Sequence, residues 1–381
     1  MRISTELIKD IAKKFGTPFY LYDEKGIRET CFKLFDAMRQ ENINYKNYFA
    51  VKALPNPHIL KILHEEGMLF DCSNKNEIKL LDLIHANNNS INSYAGNFST
   101  DFKYAQERNY HIVFDDPVSQ IPQLDVIPKS CSIRVETEYK KFGIMEKDLD
   151  ACIKMLQDKT SILGIHSMAC WNEMQYEQWN NHANNLIKLA ENSSINRLNV
   201  GGGFGINYHK MDNFGIDFYD LAKIFSKAFK GFDGLIASEF GRAITGEHGI
   251  LVAKCTSKKV CSTRGVFYGL DACMSHLMRP GMYSSYHKIT IPERHTLEHE
   301  KANVVGFLCE DNDWFCKDRI LPRAQVGDLF VIHDTGAHGH SMCFQYNSTL
   351  RAPEILLDLS GNPRLIRSRE TFNDLIYNIN I

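Results

Sequence analysis

Between residues 48 and 241 the chain repeats one pattern eight times: a short apolar run rich in β-branched and aromatic residues, then a longer stretch of helical period. The runs are 48–53 (YFAVKA), 68–73 (MLFDCS), 91–96 (INSYAG), 111–116 (HIVFDD), 131–136 (CSIRVE), 162–168 (ILGIHSM), 197–203 (RLNVGGG) and 235–241 (LIASEFG). Between them lie helical segments such as NPHILKILHEEG, EIKLLDLIHAN, DLDACIKMLQD, YEQWNNHANNLIKLAEN and DFYDLAKIFSKAFKG. Strands separated by helices predict parallel β/α units, because parallel neighbours need a long crossover and that crossover is right-handed. Eight such units close most naturally into a (β/α)8, or TIM, barrel. An open doubly wound sheet is the competing arrangement.

After about residue 249 the rhythm changes. ILVAKCTSKKV, VVGFLC, DLFVIHD, EILLDL and RLIRS follow one another without long helices, which predicts an antiparallel β domain. The run PFYLYD at 18–23 can add a strand to it. The expectation is an α/β chain with a TIM (β/α)8 barrel over residues 25–248 and a second, antiparallel β domain built from 1–24 plus 249–381. A length of 381 residues suits a large barrel with one smaller domain.

Lys plus Arg number 44 against 46 Asp plus Glu, and no basic block exists to neutralise phosphates, so nucleic acid is not an expected partner. The eleven cysteines are scattered and form no C-x-x-C pair, a pattern expected of reduced thiols in a cytoplasm. The opening MRISTELIKDIAKKFG is charged and amphipathic. With no apolar run near the length of a membrane span, a cytoplasmic chain without membrane partners is expected. No metal site is expected.

In a TIM barrel the functional groups sit where the strands end, and here those ends are polar. The first run delivers Lys52 between Val51 and Ala53. A partly desolvated ammonium there would have a lowered pKa, and its neutral amine could condense with a carbonyl. The seventh run enters Gly201, Gly202, Gly203, Phe204 and Gly205, where bare backbone can approach a phosphate. The spacing is not the G-x-G-x-x-G of a dinucleotide fold. The eighth run delivers Glu239, Phe240, Gly241 and Arg242. A carboxylate can keep the pyridine nitrogen of pyridoxal phosphate (PLP) protonated, so that the ring accepts an electron pair, and Arg242 can clamp an anion. Singly, each has a plain structural reading: a solvated lysine, a strand-end turn, a rim ion pair. Strands one and eight are neighbours in a barrel, so the three groups can converge.

Several longer segments carry a resemblance: FGTPFYLYD at 15–23, YFAVKALPNPHILKIL at 48–63, LNVGGGFGI at 198–206, GLDACMSHLMRPGMY at 269–283, LCEDND at 308–313 and VGDLFVIHDTGAHGHSMCFQYNS at 326–348. In order and spacing they resemble the diaminopimelate decarboxylases, within the fold-type III PLP enzymes that also include alanine racemase and ornithine decarboxylase. The resemblance implies that Lys52 carries PLP and that Gly202 and Gly203 contact its phosphate. It places Glu239 at the ring nitrogen, with Phe240, Gly241 and Arg242 beside it. It implies substrate binding by Arg242, Arg279 and Tyr283, and a homodimer whose Cys309 and Glu310 reach into the partner's barrel. There Cys309 would protonate Cα and Glu310 would recognise the far end of the substrate. Taken alone, Cys309 reads as a structural thiol, and its neighbours Glu310 and Asp311 give no local cause for a depressed pKa. Arg279, followed by Pro280, reads as a charge beside a turn, although a guanidinium fork does match a carboxylate.

Three positions depart from the pattern. Where many relatives carry G-x-H-x-H, this chain has Gly164, His166 and Met168, leaving open whether His166 or Met168 takes the ring-packing place. The following ACWNE lacks the common Gly-Ser. His338 stands where a tyrosine of the partner chain often touches the phosphate in relatives, and it can still donate a hydrogen bond. The resemblance implies decarboxylation of meso-diaminopimelate to lysine. The alternatives are a related decarboxylase acting on another diamino acid or a conjugate in a siderophore or antibiotic pathway, and a non-catalytic PLP-binding relative. Amino-acid racemases of this fold lack the C-E-x-x-D element seen at 309–313.

Overall fold

The structure is a computed structural model describing residues 3–86, 93–94, 102–136, 141–168, 171–190, 194–210, 215–294 and 298–380. The chain divides into two compact units, one of Arg28–Asn207 with Met211–Ile244, the other of Met1–Ile27, Tyr208–Lys210 and Thr245–Ile381.

The first unit is the barrel. All eight expected strands form, at Tyr45–Ala50, Leu69–Cys72, Ser93–Tyr94, His111–Phe114, Ser130–Glu136, Ser161–His166, Arg197–Asn199 and Leu235–Ser238. Each pairs in parallel with the next, and the eighth pairs with the first through Ile236 opposite Tyr45. That last pairing closes the ring and excludes the open sheet. Of the third run, 91–96, only the two strand residues lie within the described chain.

Between strands the helices follow the apolar period. Pro57–Glu65 starts with proline in its first turn and an Asn56 cap accepting from His58 N–H, and it buries Ile59, Leu60, Ile62 and Leu63. Phe218–Ala228 opens on a capping box of Asp217 and Asp220. Its inner face meets Tyr176–Ala190 around Trp179, whose ring lies 6.4 Å from Phe225 and 5.7 Å from Phe240.

Asn47 fixes the closing seam. Its Oδ1 accepts from Phe240 N–H (2.9 Å) and the Ser238 hydroxyl (2.6 Å), while its Nδ2 donates to Phe240 C=O (3.1 Å). A buried amide that satisfies three groups on the neighbouring strand sets where that strand ends, since each unpaired buried group would cost about 1–3 kcal/mol.

Among the described residues the second unit forms a nine-stranded sheet. The helix Thr5–Phe15, capped by Ser4, lays Ile8 and Ile11 on a core of Phe19, Leu21, Ile250, Val252, Leu329, Val331 and Ile355. The strand Phe19–Asp23, anticipated as a sheet strand, runs antiparallel to Gly249–Cys261. The sheet is mixed, not antiparallel: Phe19–Asp23 runs parallel to Glu354–Leu357, and Gly265–Leu270 parallel to His299–Val305. Both parallel pairs join segments far apart in sequence, as parallel pairing requires, so adjacency along the chain could not reveal them. Trp314–Pro322 is a strand that the sequence pattern hid, because Lys317, Asp318 and Arg319 interrupt its apolar residues.

Candidate functional site

The barrel mouth gathers its groups at the ends of strands one, two, six, seven and eight. Lys52 lies one step past its strand, in the 3-10 turn Val51–Ala53. Its side chain is half exposed, and its Nζ stands 3.3 Å from Oδ2 of the buried Asp71. A Cβ on Gly241 would come within 2.8 Å of the Ala53 Cβ, so only glycine lets the eighth-strand end pass so close to this turn.

Glu239 follows the eighth strand and is buried. Its N–H donates to Gly201 C=O (2.8 Å). Its carboxylate stands 3.2 Å from His166 Nε2 through Oε2 and accepts from Asn199 Nδ2 through Oε1 (2.9 Å). The carbonyl Oδ1 of the same Asn199 accepts from Gly201 N–H (2.9 Å). Gly201 is held at φ +72°, and Cβ atoms on Gly201 and Gly202 would lie 2.8 Å from Ser167 O and 3.1 Å from Glu239 O. Met168 packs against Gly201, where an added Cβ would lie 3.0 Å from the Met168 Cβ. Gly203 also has positive φ. Among the described residues no group accepts from the N–H of Gly202 or Gly203.

The electrostatics departs from the expectation for Lys52. Burial lowers its pKa, but Asp71, Glu239 and Glu77 outweigh that and hold it above the ordinary lysine value. Asp71 is pushed up by burial and by Glu239, with Lys52 acting the other way. Burial alone would raise Glu239 too, yet His166, Lys52 and Arg134 hold it well below the carboxylate range.

One sequence candidate takes another place. The Phe240 ring sits in the aromatic cluster with Trp179 and Phe204, and its main-chain N–H and C=O both go to Asn47. It anchors the strand end and offers the mouth neither ring nor backbone polar group. Residues 169–170 of ACWNE lie outside the described residues. The rest of that segment runs along the glycine loop, with Glu173 N–H on Gly203 C=O and Gly205 N–H on Glu173 C=O (2.9 and 3.0 Å). Arg242 begins a short helix, Arg242–Thr245, and is half buried. Asp71 and Asn199 were not anticipated. An acid closing an otherwise apolar strand run (MLFDCS) and an amide just before the glycines were the available signals.

In the sheet unit, Arg279 is buried in the helix Met278–Tyr283, whereas Tyr283 is exposed. Gly281 of that helix meets the 309–313 loop, since a Cβ there would lie 2.2 Å from Asn312 O. Cys309 is exposed, with its N–H on Asn347 Oδ1 (2.9 Å) and its C=O accepting from Tyr346 OH (3.1 Å). The exposed Glu310 accepts from Asn312 N–H (3.1 Å). Buried Asp313 ties the loop down by accepting from Met274 and Leu308 N–H (2.6 and 2.8 Å). His338 is half buried and held at φ +55°, uncommon for a side-chain-bearing residue.

Residues 19–336 match the family described as pyridoxal-dependent decarboxylase, C-terminal sheet domain. The chain belongs to this family. It is 35% identical to Protein TabA of Pseudomonas amygdali pv. tabaci, covering 97% of this chain and 92% of that protein. It is 30% identical to the diaminopimelate decarboxylase of Methanothermobacter thermautotrophicus, covering 98% and 94%. Its fold is similar to crystal structures of diaminopimelate decarboxylase from m. jannaschi (TM-score 0.89, 26% identity, 98% and 94% covered) and of diaminopimelate decarboxylase from Helicobacter pylori complexed with L-lysine (TM-score 0.87, 26% identity, 97% and 98% covered).

PLP is therefore the cofactor, and the mouth fits it. Asp71 Oδ1 and His166 Nδ1 are buried without a hydrogen-bond partner among the described residues, and buried polar atoms are rarely left so. The N–H groups of Gly202 and Gly203 have no acceptor among the described residues, and an ionised carboxylate and an amine stand nearby. Because Glu239 is held below the ordinary carboxylate pKa of roughly 4.3, its stabilising contribution is complete above that value and is lost as pH falls through its lower folded value. The melting-temperature difference between wild-type apoprotein and Glu239→Gln should therefore shrink on acidification below about pH 4. A difference that is flat or widens with acid would show that the carboxylate is not so held.

Proposed function

We propose that this decarboxylase acts on meso-diaminopimelate, giving L-lysine, as a cytoplasmic homodimer with shared sites. The observation that carries the substrate reading is the packing of the Arg279 helix on the Cys309–Glu310 loop through Gly281 and Asn312. Across a two-fold interface at this place, the guanidinium of one copy and the Glu310 carboxylate of the other would face one substrate, and the far end of diaminopimelate carries a carboxylate and an ammonium.

PLP, when bound, supplies the electron sink for the Cα–carboxyl bond that breaks. Lys52 is its covalent anchor, Gly202 and Gly203 its phosphate cradle, and Glu239, ionised across the working pH range, the partner of its ring nitrogen. His166 orients Glu239 through Oε2, with Gly241 and Arg242 lining the adjoining turn and His338 a further donor for the phosphate in the site of a second copy. Arg279, with Tyr283 and Arg242, holds substrate carboxylates by charge-assisted hydrogen bonds, and Glu310 receives the distal ammonium. After carbon dioxide leaves, the Cys309 thiol gives its proton to Cα. The exposed, backbone-anchored loop suits Cys309 and Glu310 to complete the site of a second copy.

A second reading, another diamino acid or a conjugate, is favoured by one fact: the 35% identity to Protein TabA exceeds the 30% and 28% to the diaminopimelate decarboxylases of Methanothermobacter thermautotrophicus and Campylobacter jejuni.

Carbon dioxide release from meso-diaminopimelate, lysine, ornithine and arginine should show a clear preference for the first. Arg279→Ala should lower its turnover roughly a hundredfold or more while PLP stays bound, since an unpaired carboxylate costs a few kcal/mol. Preference for a substrate without the distal carboxylate would defeat the reading.

For the dimer, Lys52→Ala and Cys309→Ala subunits, each inactive alone, should regain up to about a quarter of full activity after exchange. Half of randomly mixed C2 dimers are hybrids, and each hybrid has one intact site. Inactivity despite proven exchange would mean that each chain completes its own site.

A further inference from the structure

The Arg279 guanidinium is buried, and a buried cation can be useful only if something fixes the direction of its donors. His287, itself fully buried, lies at the Nε edge of that guanidinium, with Arg279 Nε 3.4 Å from His287 Nε2. The other ring nitrogen of His287 is 2.8 Å from His333 C=O. A carbonyl oxygen can only accept, so Nδ1 carries the hydrogen, and in the neutral ring Nε2 then presents a lone pair. That lone pair receives the Arg279 Nε–H. The His333 carbonyl thus selects the one tautomer of His287 able to hold the arginine.

The surroundings keep this ring in place. Tyr208 packs edge-on to His287, ring centres 5.1 Å apart, and lies beneath the Arg279 guanidinium at 5.3 Å. Ser285 Oγ accepts from a terminal Arg279 nitrogen at 3.4 Å. Arg319 donates to the His287 carbonyl and stacks at 4.3 Å on Tyr286, which itself stacks on His209 at 4.1 Å. The segment after the Arg279 helix is therefore pinned at successive residues, and His287 transmits that pinning to the guanidinium.

We propose that His287 is the positioning residue that presents Arg279 to the carboxylate of the substrate. The assignment of a carboxylate to Arg279 rests on the function proposed above; the hold of His287 on Arg279 does not. With the Nε edge engaged by His287, the guanidinium loses the rotational freedom that would otherwise oppose binding. Because a positioning residue acts on binding and not on bond breaking, its removal should appear in KM.

Two polar variants separate this role from simple packing. His287→Asn keeps a donor for the His333 carbonyl and cannot reach Arg279, whereas His287→Gln is long enough to offer Arg279 an acceptor. In the PLP-loaded enzyme, His287→Asn should raise KM for meso-diaminopimelate roughly ten- to a hundredfold, with kcat changed less than about threefold. His287→Gln should recover most of that loss. Independently of any substrate, hydrogen exchange at the Arg279 Nε–H, identified by its absence in Arg279→Lys, should be at least about tenfold faster in His287→Asn than in wild type or His287→Gln. If wild type turns over no diaminopimelate, the substrate reading fails and the exchange comparison alone decides the role of His287. The role is overturned if both variants exchange and bind like wild type, or if Asn and Gln are equally impaired.

Discussion

Glu239 is a carboxylate taken out of water at the end of the eighth barrel strand, and the mouth of the barrel is organised around keeping it ionised. Burial works against the charge, so the charge must be compensated locally. His166 from the sixth strand takes one oxygen, Asn199 from the seventh takes the other, and Lys52 from the first-strand turn adds its field. The backbone joins in, because Glu239 N–H and Gly201 C=O tie the carboxylate to the glycine loop. Asn199 makes the same link by its side chain, bonding Glu239 with one end of its amide and Gly201 with the other. Glu239 and the glycine loop are therefore one hydrogen-bonded assembly.

This arrangement depends on barrel closure. Glu239 and Lys52 meet because the eighth strand pairs with the first, and the pairing stops where it does because Asn47 engages the N–H and C=O of Phe240. Gly241 then lets the chain pass against Ala53. The sheet unit solves a different problem, the holding of a cation and a thiol-bearing loop. Asp313 fixes the loop from within by accepting two main-chain N–H groups, and the Arg279 helix packs against it at a glycine.

The barrel was legible because its strands are buried on both faces and so read as short, continuous apolar runs. Lys52, Glu239 and the glycine run were legible for the converse reason: polar or bare residues interrupt those runs where strands end. What stayed hidden were relations the period cannot carry. Asp71 closes an apolar strand much as Lys52 and Glu239 do, but a lone aspartate has no spacing to mark it. The parallel pairing of Phe19–Asp23 with Glu354–Leu357 joins the two extremes of the chain. The Lys52 ammonium was expected to be lowered by desolvation, and the three surrounding carboxylates that reverse this come from the second strand, the end of the eighth and the helix Lys75–Asp82. Phe240 stood beside Glu239 in the sequence, yet strand alternation turns its ring into the aromatic cluster around Trp179.

If the polar assembly at the barrel mouth holds PLP on Lys52, reductive trapping of the cofactor reads it out most directly. Holoenzyme treated with borohydride, denatured, digested and mapped by mass spectrometry should carry the reduced cofactor on the peptide containing Lys52. Lys52→Ala should carry none. Cofactor trapped on a different lysine, or trapping undiminished in Lys52→Ala, would contradict the account.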